Sequence, residues 1–149
     1  MEKFRTEATA KTPLIELEHS TGELLFKGKS IPENSAKVYE GVLKWIKEYA
    51  QNPNMLTNFR LNLEYFNTSS MMWIARMIKV LSSMNKLGAI FMIHLYYDIA
   101  DFEEMDSEEI LDIISPMVDM AGTPTVSVCI KIYGTGTDGE ILDETMVLI

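Results

Sequence analysis

The stretch Phe59-Arg60-Leu61-Asn62-Leu63-Glu64-Tyr65-Phe66-Asn67-Thr68-Ser69-Ser70-Met71 sets the architecture of this 149-residue chain. Phe59, Leu61, Leu63 and Tyr65 alternate with Arg60, Asn62 and Glu64, the period of a strand with one apolar face. Asn67-Thr68-Ser69-Ser70 follows at once with the small polar side chains that cap helix starts. A helix is predicted from about Met71 to Asn85, with Trp73, Met77, Val80, Leu81 and Met84 as its apolar stripe and Arg76 and Lys79 off it. Leu87-Gly88 closes this helix. Ala89 to Tyr97 is nearly all apolar, the pattern of a strand covered on both faces. Strand, helix and strand make a βαβ unit, and such crossovers are right-handed in nearly every fold.

The same logic extends in both directions. Ile15 to Glu18 alternates, His19-Ser20-Thr21-Gly22 turns, and Leu24 to Phe26 resumes, which predicts an N-terminal hairpin. Asn34 or Ser35 is the predicted cap of a helix whose Tyr39, Val42, Leu43, Ile46 and Tyr49 share one face. After the buried strand, Asp98 to Glu104 is predicted to be an acidic loop. Asp106 with Glu109 forms a capping box for a third helix, which Pro116 should kink or shorten. Val126 to Tyr133 is the last clear strand, and Asp138-Gly139 supports a terminal hairpin or an extra C-terminal strand. The predicted fold is a single α/β domain with one mixed sheet and about three helices, in the order ββαβαβαβ. Residues 1–11 are assigned to a flexible extension, 12–133 to the domain proper and 134–149 to a C-terminal tail or hairpin.

The net charge of −9 is unevenly placed. Residues 87–130 contain no Lys or Arg but nine Asp and Glu, whereas residues 1–86 carry a small positive excess. Such a surface repels phosphate backbones, so nucleic-acid binding is not expected. No apolar run approaches a membrane span, and the N-terminus has no apolar signal core, so a soluble cytoplasmic protein without membrane insertion is expected. The lone Cys129, within an apolar strand, fits a reducing compartment and cannot form an internal disulfide.

Few residues suggest chemistry. His19 sits in a turn and His94 in a core strand, without a ligand pattern around them, so no metal site is expected. Gly134 to Gly139 lacks the Lys-Ser/Thr of a phosphate loop. Nothing supplies an activating base for a serine or cysteine nucleophile, so neither catalysis nor a cofactor is expected. The junction at Thr68 differs, because it joins the end of a strand to a helix N-terminus with free N–H groups and a partial positive charge. A phosphate there gains about 1 kcal/mol when exposed, while adding bulk and nearly two negative charges to any surface a partner uses. The plainer role of such a run is to cap the helix.

Three motifs then resemble a known family. Ser30-Ile31-Pro32-Glu33-Asn34-Ser35, Leu63-Glu64-Tyr65-Phe66-Asn67-Thr68-Ser69-Ser70 and Leu95-Tyr96-Tyr97-Asp98 are similar, in this order, to motifs of the SiaC family of bacterial regulatory phosphoproteins. The resemblance implies a STAS-like domain, related to anti-sigma-factor antagonists. It implies that Thr68 is phosphorylated by a partner-switching Ser/Thr kinase and dephosphorylated by a PP2C-type phosphatase. It also implies that the unphosphorylated form binds and activates a diguanylate cyclase, and so promotes cyclic-di-GMP signalling and biofilm formation. Asn67, Ser69, Ser70, Pro32, Glu33, Asn34, Ser35, Tyr96, Tyr97 and Asp98 would then shape the partner surface. The alternatives are a constitutive adaptor module whose Thr68 only caps, or a small-molecule binder at the strand-end crevice.

Overall fold

The computed structural model describes all residues 1–149. Seven strands form one sheet whose spatial order follows the chain: β1 (Phe4–Thr6), β2 (Leu14–Glu18), β3 (Glu23–Ser30), β4 (Leu56–Phe66), β5 (Ile90–Asp98), β6 (Ser127–Thr135) and β7 (Ile141–Leu148). The four central strands β3 to β6 run parallel, while β1, β2 and β7 attach antiparallel. Each parallel step is bridged by helix: α1 (Ser35–Tyr49), α2 (Thr68–Ser82), then α3 (Ile99–Glu104) with α4 (Ser107–Ala121). Right-handed crossovers that always advance in one direction place α1, α2 and α4 side by side on a single face. The packing of α1 on α2 and α2 on α4 follows from that arrangement.

The core lies between this helix layer and the sheet. Phe26, Phe59, Ile93 and Ile130 point from successive strands into the same layer and meet Tyr39, Ile46, Ile74 and Ile78 from the helices. The predicted hairpin turn forms at residues 19–22 between β2 and β3. Gly22 adopts φ +72, and a Cβ there would collide with the Leu56 carbonyl oxygen, so no larger residue fits.

Several expectations change. Residues 1–11 are not a featureless extension, because Phe4–Thr6 pairs with β2 and the Glu2 carbonyl accepts from the Trp45 indole N–H at 2.9 Å. Asp98 to Glu104 is not a loop: the Asp98 carboxylate accepts from Ala100 N–H at 3.1 Å and starts α3. Helix α4 is not shortened by Pro116, which is exposed, and continues to Ala121, and Asp106 caps it as expected by accepting from Glu109 N–H at 2.9 Å. Strand β5 is covered by helices on one face only. On its other face His94 is still buried, because side chains of the sheet tile over one another.

That tiling is a hydrogen-bonded layer. Arg60 donates from Nε and Nη2 to the Glu23 carboxylate at 2.7 and 3.2 Å and from Nη1 to Tyr96 OH at 2.9 Å. Asn58 Nδ2 donates to Glu23 at 3.0 Å, which leaves its Oδ1 to accept from His94 Nε2–H at 2.8 Å. His94 Nδ1 then accepts from Tyr133 OH at 2.7 Å. Tyr133 stacks between Tyr96 and His94, with centroids 4.8 and 5.6 Å away. Burial, reinforced by the nearby Arg60 charge, lowers the His94 pKa to about 4, so the ring is neutral near pH 7.

Candidate functional site

The site grows out of the handover from β4 to α2. Asn67, extended at φ −90 and ψ 170, is the N-cap: its Oδ1 accepts from Ser70 N–H at 3.0 Å and from Ser70 Oγ–H at 2.7 Å. Thr68 is therefore the first residue inside the helix, three positions earlier than the predicted start. Its side chain is exposed. Because Asn67 does the capping, no intramolecular hydrogen bond engages the Thr68 hydroxyl. The capping role offered as the plain account of Thr68 belongs to its neighbour.

Beneath this turn is a buried polar knot. Ser70 is 0% exposed, and its hydroxyl lies 2.8 Å from Ser30 Oγ and 3.0 Å from the Ser30 carbonyl oxygen, while Ser30 Oγ also bonds Tyr39 OH. Desolvation raises the Tyr39 pKa, so its phenol stays protonated. Asn67 N–H donates to the Ser30 carbonyl at 2.9 Å and Asn67 Nδ2 to the Pro32 carbonyl at 3.1 Å. These bonds lock the end of β3 to the start of α2 and close the space between those two strand ends.

The structure unites two of the three motifs. Pro32–Ser35 stands against Asn67–Ser70, with Asn34 capping α1 by accepting from Lys37 N–H at 3.3 Å and Ser35 Oγ accepting from the Trp73 indole at 3.2 Å. Ser70 and Pro32 are buried, so neither can touch a partner; they act by holding the turn. Glu33, Asn34 and Thr68 are exposed, with Asn67, Ser69 and Ser35 partly so. Lys11 binds Glu33 at 3.0 Å on the rim of an open groove of about 620 Å³, walled also by Phe4, Lys37 and Val38. The third motif lies apart. The ladder between β4 and β5 ends at Leu61↔Leu95, after which Tyr96, Tyr97 and Asp98 pair with Tyr133, Gly134 and Thr135 of β6. Tyr96 belongs to the Arg60 layer, Tyr97 packs on the core and Asp98 caps α3.

What the sequence did not reveal is the apolar surface around Thr68. Tyr65, Phe66 and Met72 are 63%, 50% and 56% exposed, and Ile31 beside them is exposed too. Met72 follows Thr68 by one helical turn and so shares its face. Alternation puts Tyr65 on the apolar face of β4, but the register shift after Leu63 pairs it with Lys29 on the face away from the helices, where its ring meets Lys29 Nζ at 5.7 Å. Arg76 lies over Trp73 at 4.8 Å, one turn further along the helix. The hydroxyl thus sits at a helix N-terminus beside the exposed Phe66 and Met72.

Comparison with known proteins fits this arrangement. An uncharacterized protein of Pseudomonas aeruginosa strain UCBPP-PA14 is 26% identical over 98 residues, covering 66% of this chain and 78% of that protein. Among solved structures, apo-SiaC of P. aeruginosa shares the fold with a TM-score of 0.65 at 21% identity, covering 86% of this chain and 98% of that one. The SiaC chain crystallised with the diguanylate cyclase SiaD, whose activator it is, matches with a TM-score of 0.65 at 22% identity, covering 84% and 97%. The model of the SiaC family regulatory phosphoproteins matches residues 6–124, most of the chain and both halves of the Thr68 junction. This protein belongs to the SiaC family of regulatory phosphoproteins.

Proposed function

We propose that this chain is a non-enzymatic switch whose unphosphorylated form binds and activates a diguanylate cyclase, and that phosphorylation of Thr68 ends the association. The carrying observation is the Thr68 hydroxyl: exposed, free of intramolecular hydrogen bonds and flanked by the exposed Phe66 and Met72. Exposed apolar side chains of this size mark a docking surface. A phosphoryl group at the first helical position would be accommodated by the free N–H groups of α2. On the same spot it would place nearly two negative charges where an apolar partner must be desolvated. The fold survives the modification and the docking does not.

A partner-switching Ser/Thr kinase would add the group and a PP2C-type phosphatase would remove it, so the chemistry resides in those enzymes. The membership of the family and the SiaC–SiaD complex support a cyclase as the target. In a calorimetric titration with the cyclase, Thr68→Ala should bind as the unmodified protein does and Thr68→Asp at least tenfold more weakly, given the cost of leaving a charge unpaired in an interface. Equal affinities for the two variants would defeat the proposal.

A further inference from the structure

The two edges of the sheet are treated differently. β1 is three residues long and its edge is guarded by Lys3 and Arg5, both paired to Glu16. A short, charged edge resists further strand pairing. β7 is eight residues long, contains no Lys, Arg or Pro, and exposes Leu142, Met146 and Leu148. It also lies beyond residue 124, where the match to the family ends.

The pattern of bonds fixes which groups of β7 face outward. Ile149 N–H donates to the Val128 carbonyl at 3.0 Å, so Leu148 opposite Cys129 is a pair without mutual bonds. Alternation then turns the N–H and C=O of Thr145 and Val147 toward β6. Those of Glu144, Met146 and Leu148 point to the open edge.

We propose that β7 pairs antiparallel with β7 of a second copy of this chain, on a two-fold axis that passes between the two Thr145 residues. In this register Glu144 of each copy stands opposite Met146 of the other and Asp143 opposite Val147, so no carboxylate faces a carboxylate, and regular pairing ends at the bulge residue Leu142. The outward N–H and C=O groups of Glu144 and Met146 meet in bonded pairs. Moving the axis to Glu144 would set two carboxylates face to face, and moving it to Met146 would set Asp143 opposite Ile149, outside β7. Lys131, 3.4 Å from Glu144 on the neighbouring strand, offsets the remaining acidity. An isologous contact of this kind closes as a dimer. The axis stands perpendicular to the sheet, so both helix layers lie on one side, with the two Thr68 junctions at opposite rims.

Sedimentation velocity on the full chain at rising concentration should show a monomer–dimer equilibrium. Met146→Glu, which puts acid opposite Glu144 twice, should raise the dissociation constant about tenfold. Combining it with Glu144→Lys restores opposite charges across the axis and should recover the dimer. Thr145→Cys places two thiols on the axis and should give a disulfide-linked dimer on mild oxidation, whereas Met146→Cys should cross-link far less. A wild-type chain that stays monomeric, a Met146→Glu dimer as tight as wild type, or no cross-link from Thr145→Cys would each overturn the proposal.

Discussion

At Thr68, a single residue's placement separates two roles that its chemistry allows equally. Threonine both caps helices and accepts phosphate, and here Asn67 takes the first role and leaves the second open. Asn67 also bonds the Pro32 carbonyl, so Asn67→Ala should lose the cap and the latch together. A loss of about 1–2 kcal/mol in urea denaturation is expected. Ser70 is held by Ser30 and Asn67 within the buried knot, where an alanine would strand its partners. Ser70→Ala should destabilise the fold by about 1–3 kcal/mol, and its far-UV spectrum should show an intact helix content. If Ser70→Ala unfolds at the same urea concentration as wild type, the knot does not hold the turn.

At the scale of elements, the end of β4 and the start of α2 act as one unit. A register shift near the end of β4 turns Tyr65 away from the helix layer, and Phe66, the last residue of the strand, is half exposed. Phe66→Ser and Met72→Ser should therefore leave thermal stability within about 0.5 kcal/mol of wild type, as exposed substitutions do. The same pair should weaken binding to the cyclase tenfold or more, because large apolar side chains anchor interfaces. A calorimetric affinity unchanged in the double variant would move the docking surface elsewhere. The four-residue turn at Gly22 is set by its backbone instead, which fits only glycine.

For the molecule as a whole, the decisive feature is a sheet with helices on one face only. The uncovered face is closed by Glu23, Arg60, Tyr96, Asn58, His94 and Tyr133 in one connected layer. Within it His94 has a pKa of about 4, against about 6.5 in an unfolded chain, so the unfolded state binds the extra proton first. Stability from this residue is complete above pH 6.5 and is lost as pH falls toward 4, by up to about 3 kcal/mol. Denaturation curves collected across that window should steepen this loss in wild type and flatten it in His94→Gln. Identical pH profiles for the two proteins would show that the ring is already charged in the folded state.

Apart from β1 and α3, the order of strands and helices, the hairpin turn at residues 19–22 and the caps at Asn34 and Asp106 were legible in the sequence, because each depends on neighbours within a few residues. Thr68 was legible as a candidate for the same reason: a strand, a polar run and a helix stand next to one another in the chain. The one-sided cover of the sheet was not, since an apolar run such as Ala89 to Tyr97 looks alike whether helices or tiled side chains shield it. The acidic segment 98–104 concealed a helix because one carboxylate cap sufficed to start it against Gly134 and the sheet end. Local spacing therefore determined most of the elements and singled out Thr68 as a candidate. Tertiary structure alone decided which of Asn67 and Thr68 caps, which motif residues are buried, and how far Tyr65 and Phe66 stand out, because each outcome depends on strands brought together from distant parts of the chain.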